Sequence, residues 1–349
     1  MIERFINLYK RMRTEQYLHQ TYHYSYAFVG MGQHALANLC PVVHYLGVPL
    51  KSICVTSERK ARLIERKFPG VRATTSLDEI LEDETVKGVF VSASPCAHFS
   101  IASQVLCYGK SLFIEKPPCQ GLKELDKLIE LHGRYGSRVA MVGLQRRYAP
   151  AVQLLKERLS KERLISYDLH YLTGAYPEGD ALLELYIHAI DLVCHLFGKP
   201  DILVCRQVAK DAFVLMFEHP DIVGTLELST SYTWTAAEES LKVCTTCGIY
   251  HLSQGEELSF SPHSPVVFGI PLEKISGGGK GRQWLLQRNR FVPMVANNPL
   301  YTQGFCDEMV AFVQAVEGGR GLVLTSLSAI RPTYETLSDI SMQQHGNEE

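Results

Sequence analysis

The 349-residue sequence lacks the marks of several large protein classes. Its formal net charge is only -2, which leaves no electrostatic footprint for nucleic acid or for an anionic membrane surface. No run approaches the ~20 apolar residues of a membrane span. The N-terminus has no apolar signal-peptide core, and Glu3 and Glu15 argue against a transit peptide. The ten cysteines are scattered, and in a chain this long they read as reduced thiols rather than a disulfide framework. The one close pair, Cys244 and Cys247, has no second pair or flanking histidine, so no metal site is expected. The glycine-rich stretch 276–282 has no Ser or Thr after Lys280 and no strand before it, which excludes a phosphate-binding P-loop. It is expected to be a mobile loop, a candidate for closing over an anionic substrate. No internal repeat or low-complexity tract is present. What remains is an ordinary globular composition, 46% hydrophobic and 21% charged, with length for two domains at ~150 residues each. A cytoplasmic location is expected.

Taken in order, residues 1–22 have apolar residues at a helical period and are expected to form an amphipathic extension. Tyr24 to Val29 is a strand that runs into Gly30-Met31-Gly32-Gln33-His34-Ala35, and a helical pattern follows. Strand, G-x-G-x-x-A and helix form the dinucleotide-binding context. Gly30 permits the tight turn, Gly32 lets a pyrophosphate approach the backbone, and Ala35 allows close helix packing. A structural turn is the plain alternative. A second strand, Leu50 to Val55, ends in Thr56-Ser57-Glu58-Arg59-Lys60. No acid stands at the strand end to take a ribose 2′-hydroxyl, and cations follow, which favours NADP over NAD. Glu58 is the counter-argument, and a solvated helix face is the plain account of Arg59 and Lys60. Ser76-Leu77-Asp78-Glu79 has the form of a capping box. Strands at Gly88 to Ala93, Ser111 to Ile114 and Val139 to Gly143 alternate with helices at about His98 to Tyr108 and Leu122 to Arg134.

After Arg147-Tyr148-Ala149-Pro150 the pattern changes. One helix (Val152 to Leu159) precedes long alternating β segments at 163–172, 202–208, 212–218, 222–232, 239–244 and 248–253. A helix over Ala181 to Phe197 interrupts them. Residues 255–300 read as irregular, and Tyr301 to Val316 and Ser326 to Met342 as helices packing back on the first domain. The fold class expected is therefore α/β: a Rossmann dinucleotide-binding domain over 23–147, and an α+β domain over 148–349 with a large open, mostly antiparallel sheet. Such a sheet must hide a face or an edge, and a homo-oligomer (dimer or tetramer) through it is the simplest way.

Two places bear on chemistry. Phe113-Ile114-Glu115-Lys116-Pro117-Pro118 ends a strand on two prolines, which holds Lys116 at its carboxyl end. Ligands bind there in open α/β sheets, although a surface salt bridge would also suit the residue. In the second place, Glu184, His188 and Asp191 follow at helical spacings of four and three on one face of an apolar stretch. Histidine titrates near neutrality, and a carboxylate one turn away would orient it. A satisfied histidine in a domain interface is the alternative.

Residues 24 to about 340 resemble the Gfo/Idh/MocA family, named for glucose–fructose oxidoreductase and inositol dehydrogenase. The resemblance is carried by Gly30 to Ala35, Ser94-Pro95 with His98, Gly109-Lys110, Glu115-Lys116-Pro117, Arg147 to Pro150 and His188 to Asp191. It implies hydride transfer between a nicotinamide and a sugar, sugar derivative or polyol, with Lys116, His188 and Glu184 as catalytic residues. It implies cofactor contacts from Gly30, Met31, Gly32, Gln33, His34, Thr56, Ser57, Arg59, Ser94, Pro95, His98, Glu115, Lys116, Gln145 and Arg147. Substrate contacts are implied for Lys116, Arg147, Glu184, Tyr186 and His188. NADP(H) is the favoured cofactor, with NAD(H) as the alternative. Where the family has D-x-G-x-H, this chain has Glu184-Leu185-Tyr186-Ile187-His188, and Tyr186 in place of glycine is expected to narrow the pocket or to move the helix. Two other functions fit the same fold: an NAD-dependent glycoside hydrolase and a non-catalytic dinucleotide-binding regulator.

Overall fold

A computed structural model describes residues 4–6, 9, 22–276, 281–289, 291, 295–319 and 321–345. Most of the expected N-terminal helix, residues 277–280 of the glycine-rich stretch and the last four residues lie outside them. The chain divides into two compact units. The first comprises 1–114, 131–140 and 309–323; the second comprises 115–130, 141–308 and 324–349.

The N-terminal sheet has six strands: β1 (Ser25–Val29), β2 (Leu50–Cys54), β3 (Arg72–Thr74), β4 (Val86–Val91), β5 (Ser111–Glu115) and β6 (Ala140–Gly143). Their order is β3-β2-β1-β4-β5-β6, the order of a Rossmann fold. β1 pairs in parallel with both β2 and β4. The strands read as near-continuous apolar runs because both faces are covered. Tyr26, Phe28, Phe90 and Phe113 are wholly buried, and Phe312 completes their aromatic cluster, 5.1 Å from the Phe90 ring. The helices between strands are α1 (Cys40–Tyr45), α2 (Glu58–Lys67), α3 (Asp78–Leu81), α4 (Pro95–Cys107) and α5 (Leu122–Tyr135). Ser57 caps α2 by accepting from the Lys60 amide. The capping box expected at Ser76 does not form. Helix α3 starts at Asp78 without a side-chain cap, and the Ser76 amide donates instead to the Thr74 hydroxyl.

The second unit carries α6 (Pro150–Leu159), β7 (Leu164–Leu172), α7 (Ile187–Phe197), β8 (Asp201–Ala209), β9 (Ala212–His219), β10 (Ile222–Ser229), β11 (Glu238–Thr245), β12 (Gly248–Ser253) and β13 (Glu257–Pro262). A small ribbon, β14 (Val266–Val267) with β15 (Ile270–Pro271), precedes α8 (Glu273–Ser276) and β16 (Gln283–Leu286). Eight strands form one sheet in the order β16-β13-β12-β11-β7-β10-β9-β8. It is antiparallel apart from the β7–β10 pair. β13 and β16 lie within 255–300, so that span is less irregular than its composition implied; the strands are short and separated by Gly- and Pro-bearing loops.

One face of this sheet is the core. Tyr167, Leu169 and Tyr171 alternate inward on β7, and Phe213, Leu215 and Phe217 do so on β9. Tyr167 stacks on Phe197 of α7 at 4.6 Å. The helical stretch expected over Ala181 to Phe197 is not continuous. Residues Ala181–Leu185 form a π turn capped by Asp180, and α7 follows. Helices α9 (Pro299–Thr302), α10 (Phe305–Val316) and α11 (Arg331–His345) end the chain. Gly304, at φ +97°, separates α9 from α10 and packs so tightly that a Cβ would meet the Gln145 oxygen at 2.1 Å. The single helix expected over Tyr301 to Val316 is therefore two. No described helix is long and apolar enough to cross a membrane.

Candidate active site

The first unit contains a cavity of about 550 Å³ at the carboxyl end of β1. Gly30 turns the chain there with φ +86°, and a Cβ on it would lie 2.4 Å from the Ser92 oxygen. Only glycine fits that position. Nothing lies within 4 Å of where a Gly32 Cβ would be. The protein itself has no need of glycine there, but a ligand approaching the backbone has. Gly30 to His34, Thr56, Lys60, Thr75 and Ser92 to Ser94 line the cavity. The helical residues 33–45 begin beside it, so their free amides face a bound anion. These residues fit a dinucleotide.

In the second unit, Lys116 directly follows β5. Its ammonium donates to the Glu184 main-chain oxygen at 2.5 Å. Burial pushes the Lys116 pKa down; Glu115 opposes that, Arg146 adds to it and Glu184 opposes it. The acceptor is in the π turn, a departure from regular helix that often marks functional sites. The Glu184 carboxylate accepts from the Tyr176 hydroxyl at 2.9 Å. His188 is buried in the first turn of α7.

Next to these groups, Gln145–Tyr148 form a 3₁₀ turn. Its two arginines have opposite fates. Arg147 donates through Nε and Nη2 to both oxygens of Asp191, at 2.9 and 2.7 Å, and through Nη1 to the Leu324 oxygen. Thr333 also donates to Asp191. Arg146 donates to both oxygens of Glu239 and lies over the Tyr171 ring, 5.5 Å from its centroid. Arg146, with Gln145, lines a second cavity of about 370 Å³.

Residues 24–144 match the family model described as an oxidoreductase family with an NAD-binding Rossmann fold, Gfo/Idh/MocA. This stretch is similar to the Gfo/Idh/MocA family. The chain is 25% identical over 161 residues to inositol 2-dehydrogenase of Salmonella paratyphi B, covering 44% of this chain and 48% of that protein. It spans about half the length of the curated relatives it matches. Over its whole length the fold resembles a dehydrogenase from Chromobacterium violaceum, with TM-score 0.77, 19% identity and coverage of 93% and 96% of the two chains. It also resembles a levoglucosan dehydrogenase in complex with NADH and L-sorbose, with TM-score 0.76, 17% identity and coverage of 92% and 97%.

Of the residues implied by the Gfo/Idh/MocA resemblance, Gly30 to His34, Thr56 and Ser94 line the first-unit cavity. Ser57 is taken up in capping α2, and Arg59 is exposed on that helix outside the lining. Pro95 opens α4, and His98 is buried with Nε2 3.0 Å from the Ala93 oxygen. Glu115 is buried behind Lys116, its carboxylate so close that a Cβ on Gly143 would lie 2.9 Å from it. Lys116 and Glu184 are brought into direct contact.

Two expectations are corrected. Arg147 is held in its clamp with every guanidinium nitrogen used, so its neighbour Arg146 lines the cavity instead. Tyr186 is wholly buried, its ring against Tyr171 and Phe213 and its hydroxyl on the Asp211 oxygen, so it builds the core rather than narrowing a pocket. The physical reason is packing: the Tyr186 ring fills the space between Tyr171 and Phe213.

Sequence reasoning missed Arg146, Glu239 and Tyr176. A signal for Glu239 existed. It shares the inward face of β11 with Leu241 and Val243, which are buried at 2% and 0% exposure, and a charge on such a face needs a partner.

Proposed function

We propose that the chain is an oxidoreductase that moves a hydride between a nicotinamide cofactor and a carbinol carbon of a sugar, sugar derivative or polyol. The observation that carries this is the desolvated Lys116 ammonium at the end of β5, held by the Glu184 main-chain oxygen, with His188 buried one helical turn after Glu184. A bound nicotinamide supplies the redox chemistry. The turn from Gly30 to His34 holds the cofactor's pyrophosphate by its backbone. Lys116 donates to the substrate oxygen that gains charge as the carbon–hydrogen bond changes hands. His188 accepts the hydroxyl proton in oxidation and returns it in reduction. Glu184, kept in place by Tyr176, supplies negative charge near both. The names of the relatives, an inositol dehydrogenase and a levoglucosan dehydrogenase crystallised with NADH and L-sorbose, support the substrate class.

NADP(H) is the cofactor proposed. Thr56 and Lys60 line the cavity at the end of β2, and among the described lining residues there is no carboxylate. Glu58, which could have taken the ribose hydroxyl, accepts from Thr75 instead. Two copies are proposed to associate through the outer face of the eight-stranded sheet, where Val204, Val214 and Met216 are exposed.

Lys116→Met tests the assignment. It should lower kcat by about 100- to 1000-fold, the loss typical of a donor to a developing oxyanion. NADPH affinity, followed by the reduced cofactor's fluorescence, should stay close to wild type. Unchanged turnover would remove Lys116 from the mechanism, and binding of neither NADH nor NADPH would overturn the whole proposal.

A further inference from the structure

The second-unit cavity is built for a particular kind of substrate. Its walls bring Gln145, Tyr171, Thr173, Trp234, Glu238 and Glu256 together. Among the described lining residues Arg146 is the one cation, and its guanidinium is already committed to Glu239. Three carboxylates line the same space: Glu238, Glu239 and Glu256. Glu256 accepts from Thr302 at 2.9 Å and from Gln303 at 2.7 Å, which aims it, and it pairs with Arg288. Arg288, 3.7 Å from Glu256, is not among the lining residues. A phosphate or carboxylate entering here would face like charge and find no uncommitted cation among the lining groups. A hydroxyl would find acceptors in the carboxylates and both donors and acceptors in the amides.

Trp234 adds a flat surface. Its indole Nε1 donates to the Ala175 oxygen at 3.0 Å. Gly174 lets it lie against the chain, since a Cβ there would meet the ring at 2.3 Å. The rest of the ring is open, with Trp234 55% exposed. A tryptophan held by one edge and bare on a face is a stacking surface for the apolar C–H face of a sugar ring. The wall that holds it leads to the reacting groups: Ala175 adjoins Tyr176, whose hydroxyl holds Glu184, whose main-chain oxygen holds Lys116.

We propose, resting on the function given above, that this cavity binds an uncharged, unphosphorylated glycosyl unit of the substrate. The ring stacks on Trp234, and its hydroxyls bond to Gln145, Glu238 and Glu256. Sugar phosphates and nucleotide-linked sugars are excluded by the carboxylates.

The chain has two tryptophans, so Trp284→Phe leaves Trp234 as its single indole reporter. This variant, saturated with NADPH, is titrated with maltose, glucose, glucose 6-phosphate and uridine diphosphoglucose while indole fluorescence is followed. A neutral saccharide should change the Trp234 emission and bind at least about tenfold more tightly than either phosphorylated sugar. In the otherwise native chain, followed by calorimetry, Trp234→Ala should weaken that saccharide about tenfold and leave NADPH binding unaltered. Trp234→Phe should restore part of the loss, which separates stacking from folding. Tighter binding of a phosphorylated sugar overturns the inference, as does binding of no neutral saccharide or a Trp234→Ala variant with native affinity. Loss of turnover in Lys116→Met alongside native affinity in Trp234→Ala would remove this inference and leave the proposed function standing. Saccharide binding without any hydride transfer would do the reverse.

Discussion

Glu308 is wholly buried on α10, and among the described residues no group makes a hydrogen bond of good geometry to either carboxyl oxygen, the Leu144 amide lying near them. Burial pushes its pKa well above the ordinary carboxylate range; the Glu115 carboxylate adds to this, the Leu144 amide opposes it and Asp191 adds again. The folded chain therefore holds a proton here that the unfolded chain releases near the ordinary value of about 4.3. By linkage, stability falls as pH rises from that value towards the folded pKa, because over this window the native state binds more protons. Glu308→Gln has the shape of the protonated acid and cannot ionise. Its stability relative to wild type should grow as pH is raised from about 4.3 to neutrality, read as the difference in urea midpoint. A difference that does not change with pH would mean that Glu308 is ionised in the fold. The buried residue Arg147 answers the same problem differently, with a full set of partners.

At the scale of elements, α2 carries the cofactor choice. Ser57 caps it, and its first turn presents Lys60 to the cavity while Arg59 faces away. Lys60→Ala should weaken NADPH by about tenfold, the loss of roughly one charge-assisted contact, and leave NADH nearly untouched. Equal loss for both cofactors would place Lys60 elsewhere on the dinucleotide. The existence of α2 and the sign of its first turn were legible in the sequence; which of two adjacent cations points inward was not, because that depends on where the helix starts. The same limit explains Arg146 and Arg147. Both stand in one short 3₁₀ turn, and only the position of Asp191 decides which is buried. The Gly30 turn and the end of β5 were legible because glycine and proline restrict the backbone locally. The π turn over Ala181–Leu185 was not, since no residue type demands it.

For the molecule as a whole, alternation along β7 to β12 was enough to give a large, mostly antiparallel sheet with one inner face. It could not give strand order, nor the parallel β7–β10 pair, which arise from contacts between distant segments. The outer face exposes Val204 and Val208 of β8 with Val214 and Met216 of β9. Exposed apolar side chains grouped on neighbouring strands mark association surfaces. Light scattering behind a sizing column should give a mass of two chains or a multiple of two. Val208→Asp together with Met216→Lys should shift it to one chain. A monomeric native protein would remove the oligomer from the proposal.

The way the chain closes both units also constrains how it is made. Phe312 sits in the aromatic cluster of the first unit, and Glu317 accepts the Tyr26 hydroxyl there. Arg147 in the second unit needs the Leu324 and Ala329 oxygens, and its partner Asp191 needs Thr333. Neither core is complete from residues early in the chain. During synthesis both halves must wait on the ribosome, their inner surfaces unfinished, until the stretch from about 309 onward has emerged.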